Sequence, residues 1–470
     1  MIKKFEGNYE KCIFIIFQVI SVLTVLVCII KNDVQEKSFL AFLPLGFFTC
    51  SLIFYKNYFY IMENIPLLFI QGLYFVRLTI LPLLYSFNTD MQLFEGSVSI
   101  TNSFNHACLL MLYEFFAVQF VIYLYMHVVR HRKNRITSWY VPINITACII
   151  IILALIILCI TFVFPQYAIN FKTIFKLSDA GFTLADESVG YTTGTIGRVI
   201  KTLYSMGFQI LRVLFPAYII HKLYKRNPEN KWITFFLIVF CILQFMFLTS
   251  TFAEAIISCL AIILYYIVLY PKKKKNAFIF LCISTIGMVF LYFVVRYFVN
   301  TTTGLYHKDS GPIIYAAQII NAYFTGIDNV AATFNILDGN QGEAFSSDVI
   351  GAIPFNSTLF GGHGNKLQYF FNKSNHSYGQ IPPTIGAGYY YFGTILSPII
   401  SMLFVYMSLR YYEKSLKCDT SLKYIALIFS SMIFALGTVM YSPAITLSWY
   451  LGWGIPLIII TTFIYKQNYS

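Results

Sequence analysis

Residues 145–164 read ITACIIIILALIILCITFVF, twenty consecutive positions without a charge. At 1.5 Å of helical rise per residue they reach across the roughly 30 Å hydrocarbon core of a bilayer. This segment falls in the fifth of twelve apolar stretches, 12–30, 38–55, 60–87, 104–129, 138–164, 201–221, 232–249, 252–270, 277–299, 385–409, 422–440 and 443–465. With 58% hydrophobic and 11% charged residues and a mean hydropathy of +0.69, the chain is far more apolar than a soluble globule, in which about 25% of residues are charged. The fold class expected is all-α: a polytopic integral membrane protein of about twelve transmembrane helices. The first stretch follows Lys3 and Lys4 without a small-residue cleavage site, so it is read as a retained helix and not a signal peptide.

Charge sets the expected orientation, because basic loops resist translocation. With both termini cytoplasmic, the inner segments hold 21 of the 33 basic residues, including RHRKNR at 130–135 and KKKK at 272–275. The net charge of +13 then reports topology and contact with an anionic inner leaflet, not nucleic acid, which requires a clustered exposed patch. Nine of the ten cysteines fall in expected spans and Cys418 in an inner loop; no disulfide framework and no CxxC metal pair is expected.

The inner connections are short, and no GxxxxGK[ST] loop, HExxH motif or Asp-x-Asp pair occurs. Nucleotide-driven pumping, metal-assisted hydrolysis and metal-dependent use of nucleotide sugars are disfavoured; no cofactor and no metal are expected. Chemistry is therefore expected within the membrane or outside it. The expected organisation is nine helices in 1–299, a large extracytoplasmic loop in 300–384, and three helices in 385–470. A connection that long needs a functional reason. Within it, Ile313 to Leu337 has helix-like apolar spacing interrupted at Gly326, which predicts two short helices lying on the membrane or packed against the bundle.

Three ionisable residues fall deep in the spans. Arg77, Glu114 and Arg212 each lie ten or eleven residues from an outer helix end, about 15 Å down. A shared layer predicts an Arg77–Glu114 ion pair joining two helices, which leaves Arg212 without a charged partner and open to an anionic ligand. Arg198 and Lys201 stand above it on the same helix, and Arg296 near the outer end of the ninth span. Guanidinium groups hold phosphate oxygens in bidentate fashion, so this cationic strip suits a lipid diphosphate. Glu254 sits in the tight turn TSTFAEA, where a solvated role competes with a site role. The large loop adds His307, His363 and His376 with Asp328, Asp338, Glu343 and Asp348; an outer histidine is solvated or a proton acceptor. Tyr378 and Tyr389 to Tyr391 are interfacial anchors or platforms for sugar rings.

The span layout, the large loop between the ninth and tenth stretches, and the runs FTGIDNVAATFNIL (324–337) and GQIPPTIGAGYYYFGTILSPII (379–400) resemble the bacterial Wzy-type polymerases of O-antigen and capsule repeat units. The resemblance in layout covers nearly the whole chain; that in sequence is confined to about 324–400. It implies a GT-C-like glycosyltransferase of the bacterial plasma membrane that joins undecaprenyl-diphosphate-linked oligosaccharides into surface polysaccharide at the outer face. It implies as partners a lipid-linked oligosaccharide, membrane lipids, and a flippase and chain-length regulator of the same pathway. In that light Arg198, Arg212 and Arg296 would bind the diphosphate, and His376 or His363, oriented by Asp348 or Asp328, would be the base. Two features depart from related enzymes: the spacing from Arg296 to Gly311 is one residue short, and the small-Ser-Arg turn of the ligases is replaced by Ala253 and Glu254. A lipid-linked oligosaccharide flippase and an O-antigen-ligase-like transferase are the alternative readings.

Overall fold

The computed structural model describes residues 2–31, 35–61, 64–87, 93–94, 96–129, 143–164, 195–227, 231–246, 252–270, 312–337, 339–356, 366–377, 379–418 and 420–466. Among these residues all regular structure is helical, as a bilayer demands of chains that must satisfy their backbone groups without water. In order, the helices are α1 (Ile2–Lys31), α2 (Phe42–Ile53), α3 (Ile65–Tyr85), α4 (Thr101–Val129), α5 (Ile143–Val163), α6 (Thr195–Arg226), α7 (Lys231–Met246), α8 (Phe252–Leu269), α9 (Pro312–Tyr323), α10 (Ile327–Thr333), α11 (Gln341–Gly351), α12 (Lys366–Ser374), α13 (Thr384–Leu396), α14 (Ile399–Leu416), α15 (Ser421–Gly437) and α16 (Pro443–Ile464).

Six of them are long and apolar enough to cross a membrane, at Glu10–Lys31, Ile65–Tyr85, Thr101–His127, Ile145–Val163, Val199–Arg226 and Pro443–Ile464. The chain is thus a multi-helix membrane protein. Four further apolar helices are shorter, at Lys37–Ile53, Trp232–Cys241, Ile257–Ile267 and Ser421–Gly437, so the expected twelve spans are not all reached by length. The stretch 277–299 lies outside the described residues.

The tenth stretch, expected as one helix over 385–409, is instead two. α13 and α14 meet at 109°. The chain turns at Ser397–Pro398, after Gly393 has left helical geometry at φ +75°. Gly388 sits against this bend: a Cβ there would lie 1.9 Å from the Ser397 carbonyl oxygen, and backbone cannot move aside as a flexible side chain can. Gly388→Ala is expected to cost about 1–3 kcal/mol, measured as a lower unfolding temperature of the purified protein in detergent; unchanged unfolding would show that the bend is not tight.

α15 is buried on nearly every face, as suits an all-round apolar helix at the centre of a bundle, and α14, α8 and α16 pack around it. α1 and α5 instead keep most of their apolar side chains exposed, which places them on the lipid side.

The segment 312–337 does form two short helices broken at Gly326, and of the two expected placements it takes the one packed against the bundle, with α9 partly exposed and α10 inside. Every residue of α10 is buried, packed against α4 and α13. The tip of the hairpin is Thr325, held at φ +39°, and its carbonyl accepts a 3.1 Å hydrogen bond from Arg77 Nε. Arg77 lies eight residues before the end of α3, so the tip reaches about 12 Å below that end. The expected extracytoplasmic loop is therefore partly a re-entrant hairpin inside the bundle. Its small residues, Gly326, Ala331 and Ala332, permit that approach: a Cβ on Gly326 would fall 2.3 Å from a methyl of Leu81.

Candidate functional site

Three polar clusters lie where the re-entrant hairpin and the following helices meet the bundle. The deepest is built on Arg77, which sits in a π-helical turn of α3. Arg77 Nη1 donates to Glu114 Oε2 at 2.7 Å with both side chains buried, and Ser401 Oγ at the start of α14 donates to Glu114 Oε1 at 2.5 Å. The pair expected from depth alone is thus present. It ties α3, α4, α14 and the hairpin tip to one point, and serves as a structural joint.

The second cluster holds Asp328. Tyr85 OH donates to Asp328 Oδ1 at 3.3 Å, and the Leu93 amide donates to Oδ2 at 2.5 Å. Lys37 Nζ donates to Tyr85 OH at 2.8 Å and stands 4.8 Å from the Tyr85 ring centroid. Asp328 is fully buried and acts as a clamp between α10, α3 and the segment before α4. Sequence reasoning missed Lys37, because nothing local marks a lysine near a helix start as one that turns inward.

The third cluster opens outward. Asp348, on α11, accepts from the Lys366 amide at 2.6 Å and the Leu367 amide at 3.3 Å, the first two residues of α12, whose free N–H groups need acceptors. Tyr391 OH donates to its Oδ2. Asp348 also lines a cleft of about 220 Å³ with Gly351, Ala352, Ala444, Ile445, Ser448 and Trp449. Burial raises its carboxyl above the usual aspartate range against the lowering effect of the Tyr391 hydroxyl and the two amides. Trp449 stacks on Trp453, 5.0 Å between ring centroids, so the aromatic wall is fixed. A cleft near the size of one sugar ring, with an aromatic wall, a hydroxyl at Ser448 and a carboxylate of raised basicity, has the features of a binding or proton-transfer site. Sequence reasoning singled out Asp348 but not Trp449 or Ser448, which resemble ordinary residues at a membrane boundary.

The remaining expected residues are distributed as follows. Arg212 is not open: its Nη1 donates to Gln209 Oε1 at 2.7 Å and its Nη2 to Ser258 Oγ at 3.1 Å. Among the described residues these neutral partners, one turn back and on α8, hold two of its N–H groups. Arg198 belongs to α6; its offset of fourteen residues from Arg212 puts the two backbone positions within about 40° on the helix, but its side chain lies outside the described residues. Arg296, His363, His307, Asp338 and Tyr378 also lie outside them, as does the side chain of Glu254. His376 is exposed in a left-handed turn at φ +47°, beside buried Asn375, whose Nδ2 donates to the Ala332 carbonyl at 2.9 Å. Among the described residues no hydrogen bond joins its ring to Asp328 or Asp348, whose oxygens accept from the amides and tyrosines named above. Glu343 forms a surface ion pair with Lys366, which lowers its carboxyl and is worth little to stability. Among the described residues no group of three or more metal-ligating side chains occurs. No family model matches the chain, and no curated protein or solved structure is similar to it.

Proposed function

We propose that the protein is a membrane glycosyltransferase that polymerises lipid-diphosphate-linked oligosaccharide units into surface polysaccharide at the outer face of the plasma membrane, with both termini cytoplasmic. The observation that carries this reading is the Asp348–Trp449 cleft, formed where the large segment between α8 and α13 folds onto the end of the last span. Trp449 offers a sugar ring an apolar face, and Asp348 offers its hydroxyl a base once the acceptor displaces the Tyr391 hydroxyl from Oδ2. In the reaction the acceptor hydroxyl attacks the anomeric carbon of the donor, the bond from that carbon to the diphosphate oxygen breaks, the hydroxyl proton passes to Asp348, and the lipid diphosphate leaves. The activated leaving group is part of the donor, so no nucleotide is consumed. Arg198 and Arg296 remain the proposed cations for the departing diphosphate. Arg212 keeps its neutral partners and supports the helix that carries Arg198.

The alternative is a carrier of the same lipid-linked unit. It is favoured by the 109° break between α13 and α14 and the re-entrant hairpin, since discontinuous helices often surround transported substrates. Loss of the gene separates the two: without a polymerase, single units on lipid collect outside the membrane, accessible to an added glycosidase, whereas without a carrier they collect inside and are protected. Protected units would overturn the polymerase reading.

A further inference from the structure

At the other end of the bundle a groove of about 500 Å³ runs beside the last span. α14 leads there: its eighteen residues carry the chain about 27 Å from the bend at Pro398 to Leu416. The groove has two kinds of wall. One is cationic, made by Lys414, Lys417 and Lys423. The other is apolar, made by Ile455, Ile458 and Ile459 of α16 with Leu427 of α15, and Ile459 is 61% exposed.

The lysines are not equivalent. Lys417 Nζ pairs with Glu413 Oε1, and Glu413 also accepts from Arg410 at 3.3 Å and from Tyr125 OH at 2.8 Å. That carboxylate is therefore occupied. Among the described residues no carboxylate pairs with Lys414 or Lys423; Lys414 instead stands 5.5 Å from the Tyr411 ring centroid, and Tyr411 bonds Tyr450 across the groove. Two cations with no carboxylate partner among the described residues, at one end of an apolar trough, call for a ligand with an anionic head and a hydrocarbon tail. Ile459 lies nine positions after Tyr450, so the trough runs about 13 Å along the helix, which an acyl chain fills and a soluble anion leaves empty.

We infer that this groove binds an anionic phospholipid, its phosphate between Lys414 and Lys423 and one acyl chain along Ile455, Ile458 and Ile459. Basic pockets between membrane helices hold such headgroups. The lysine end of the groove lies a helix length from the Asp348 cleft, and the site does not depend on the proposed reaction.

The test is lipid retention by the purified full-length protein, delipidated and returned to phosphatidylglycerol, to phosphatidylcholine, or to phosphatidylglycerol with excess glycerol 3-phosphate, and read by native mass spectrometry. Phosphatidylglycerol should be retained and phosphatidylcholine not. Removing one lysine charge should lower retention about fivefold and the double variant Lys414→Gln/Lys423→Gln about 25-fold, while Lys373→Gln on α12 should have no effect. Ile459→Trp, which blocks the trough and leaves both lysines, should also lower retention, so the proposal stays testable if the double variant does not fold. Unchanged retention in both groove variants would overturn it. Equal retention of phosphatidylcholine would reduce the groove to an apolar contact, and full displacement by glycerol 3-phosphate would make it a phosphate site without a lipid; either result contradicts the inference.

Discussion

Asp348→Asn is expected to lower the rate of polymer formation by about 10²- to 10⁴-fold, the usual contribution of a positioned general base, with the amount of folded protein in the membrane little changed. Asparagine keeps one acceptor for the amides that open α12 and keeps the shape of the cleft, so the loss reports proton transfer more than packing. Asp348→Ala removes the cap as well and should add about 0.5–2 kcal/mol of destabilisation. The pH profile separates a base from a structural acceptor. Burial raises the Asp348 carboxyl above the ordinary aspartate value of 3.8, so wild-type activity should fall on the acid side at a higher pH than an exposed aspartate would give, and the residual activity of Asp348→Asn should lack that limb. Stability carries the opposite sign. The folded protein disfavours the ionised form, so the contribution of this group is greatest below the unfolded-state value and declines as pH rises through the folded one; in Asp348→Asn that decline should vanish. An acid limb that persists in Asp348→Asn would assign the base elsewhere, and His376, exposed beside the Asn375 anchor, is the next to replace.

The second large effect is structural. Arg77→Ala should destabilise the protein by about 3–5 kcal/mol, because it strands the buried Glu114 carboxylate without a counter-charge among the described residues and removes the donor to the Thr325 carbonyl. Against a total stability of about 5–15 kcal/mol this is a large fraction, visible as a fall in membrane-inserted protein and in unfolding temperature in detergent. The double variant Arg77→Met/Glu114→Leu removes both charges and should recover most of the loss. It should not recover all of it, since the Thr325 carbonyl still lacks its 3.1 Å donor, at about 1–3 kcal/mol for an unsatisfied buried acceptor. If the double variant is as unstable as the single one, the hairpin contact and not the ion pair holds this point together.

Much of the helical layout was legible in the sequence, because apolar length and the demand for internal hydrogen bonds leave a membrane segment few options. The Arg77–Glu114 pair was legible for a related reason: helical rise turns sequence position into depth, and two opposite charges at one depth attract. The break at Ser397–Pro398 was hidden because the residues on both sides of it are equally apolar, and periodicity carries no direction. The insertion of Thr325–Gly326 was hidden too, since a Gly break between short helices fits a surface hairpin as well as a re-entrant one. The partners of Arg212 among the described residues, Gln209 and Ser258, are neutral, and a search for charges does not find them. Asp348 was visible as an acid in a loop, but its cleft depends on Trp449 and Ser448, some hundred residues later in the chain, and only tertiary packing brings them together.

In the proposed function a sugar chain is extended at the Asp348–Trp449 cleft from donors that carry their own leaving group. The most direct measurement uses the purified protein in lipid bilayers with a lipid-diphosphate-linked repeat unit, without nucleotide or added metal, and follows the products by gel. A ladder of products differing by one repeat unit is expected from the wild type, nearly abolished in Asp348→Asn. A repeat unit that moves across the bilayer without any ladder, or a ladder of equal yield from Asp348→Asn, would contradict it.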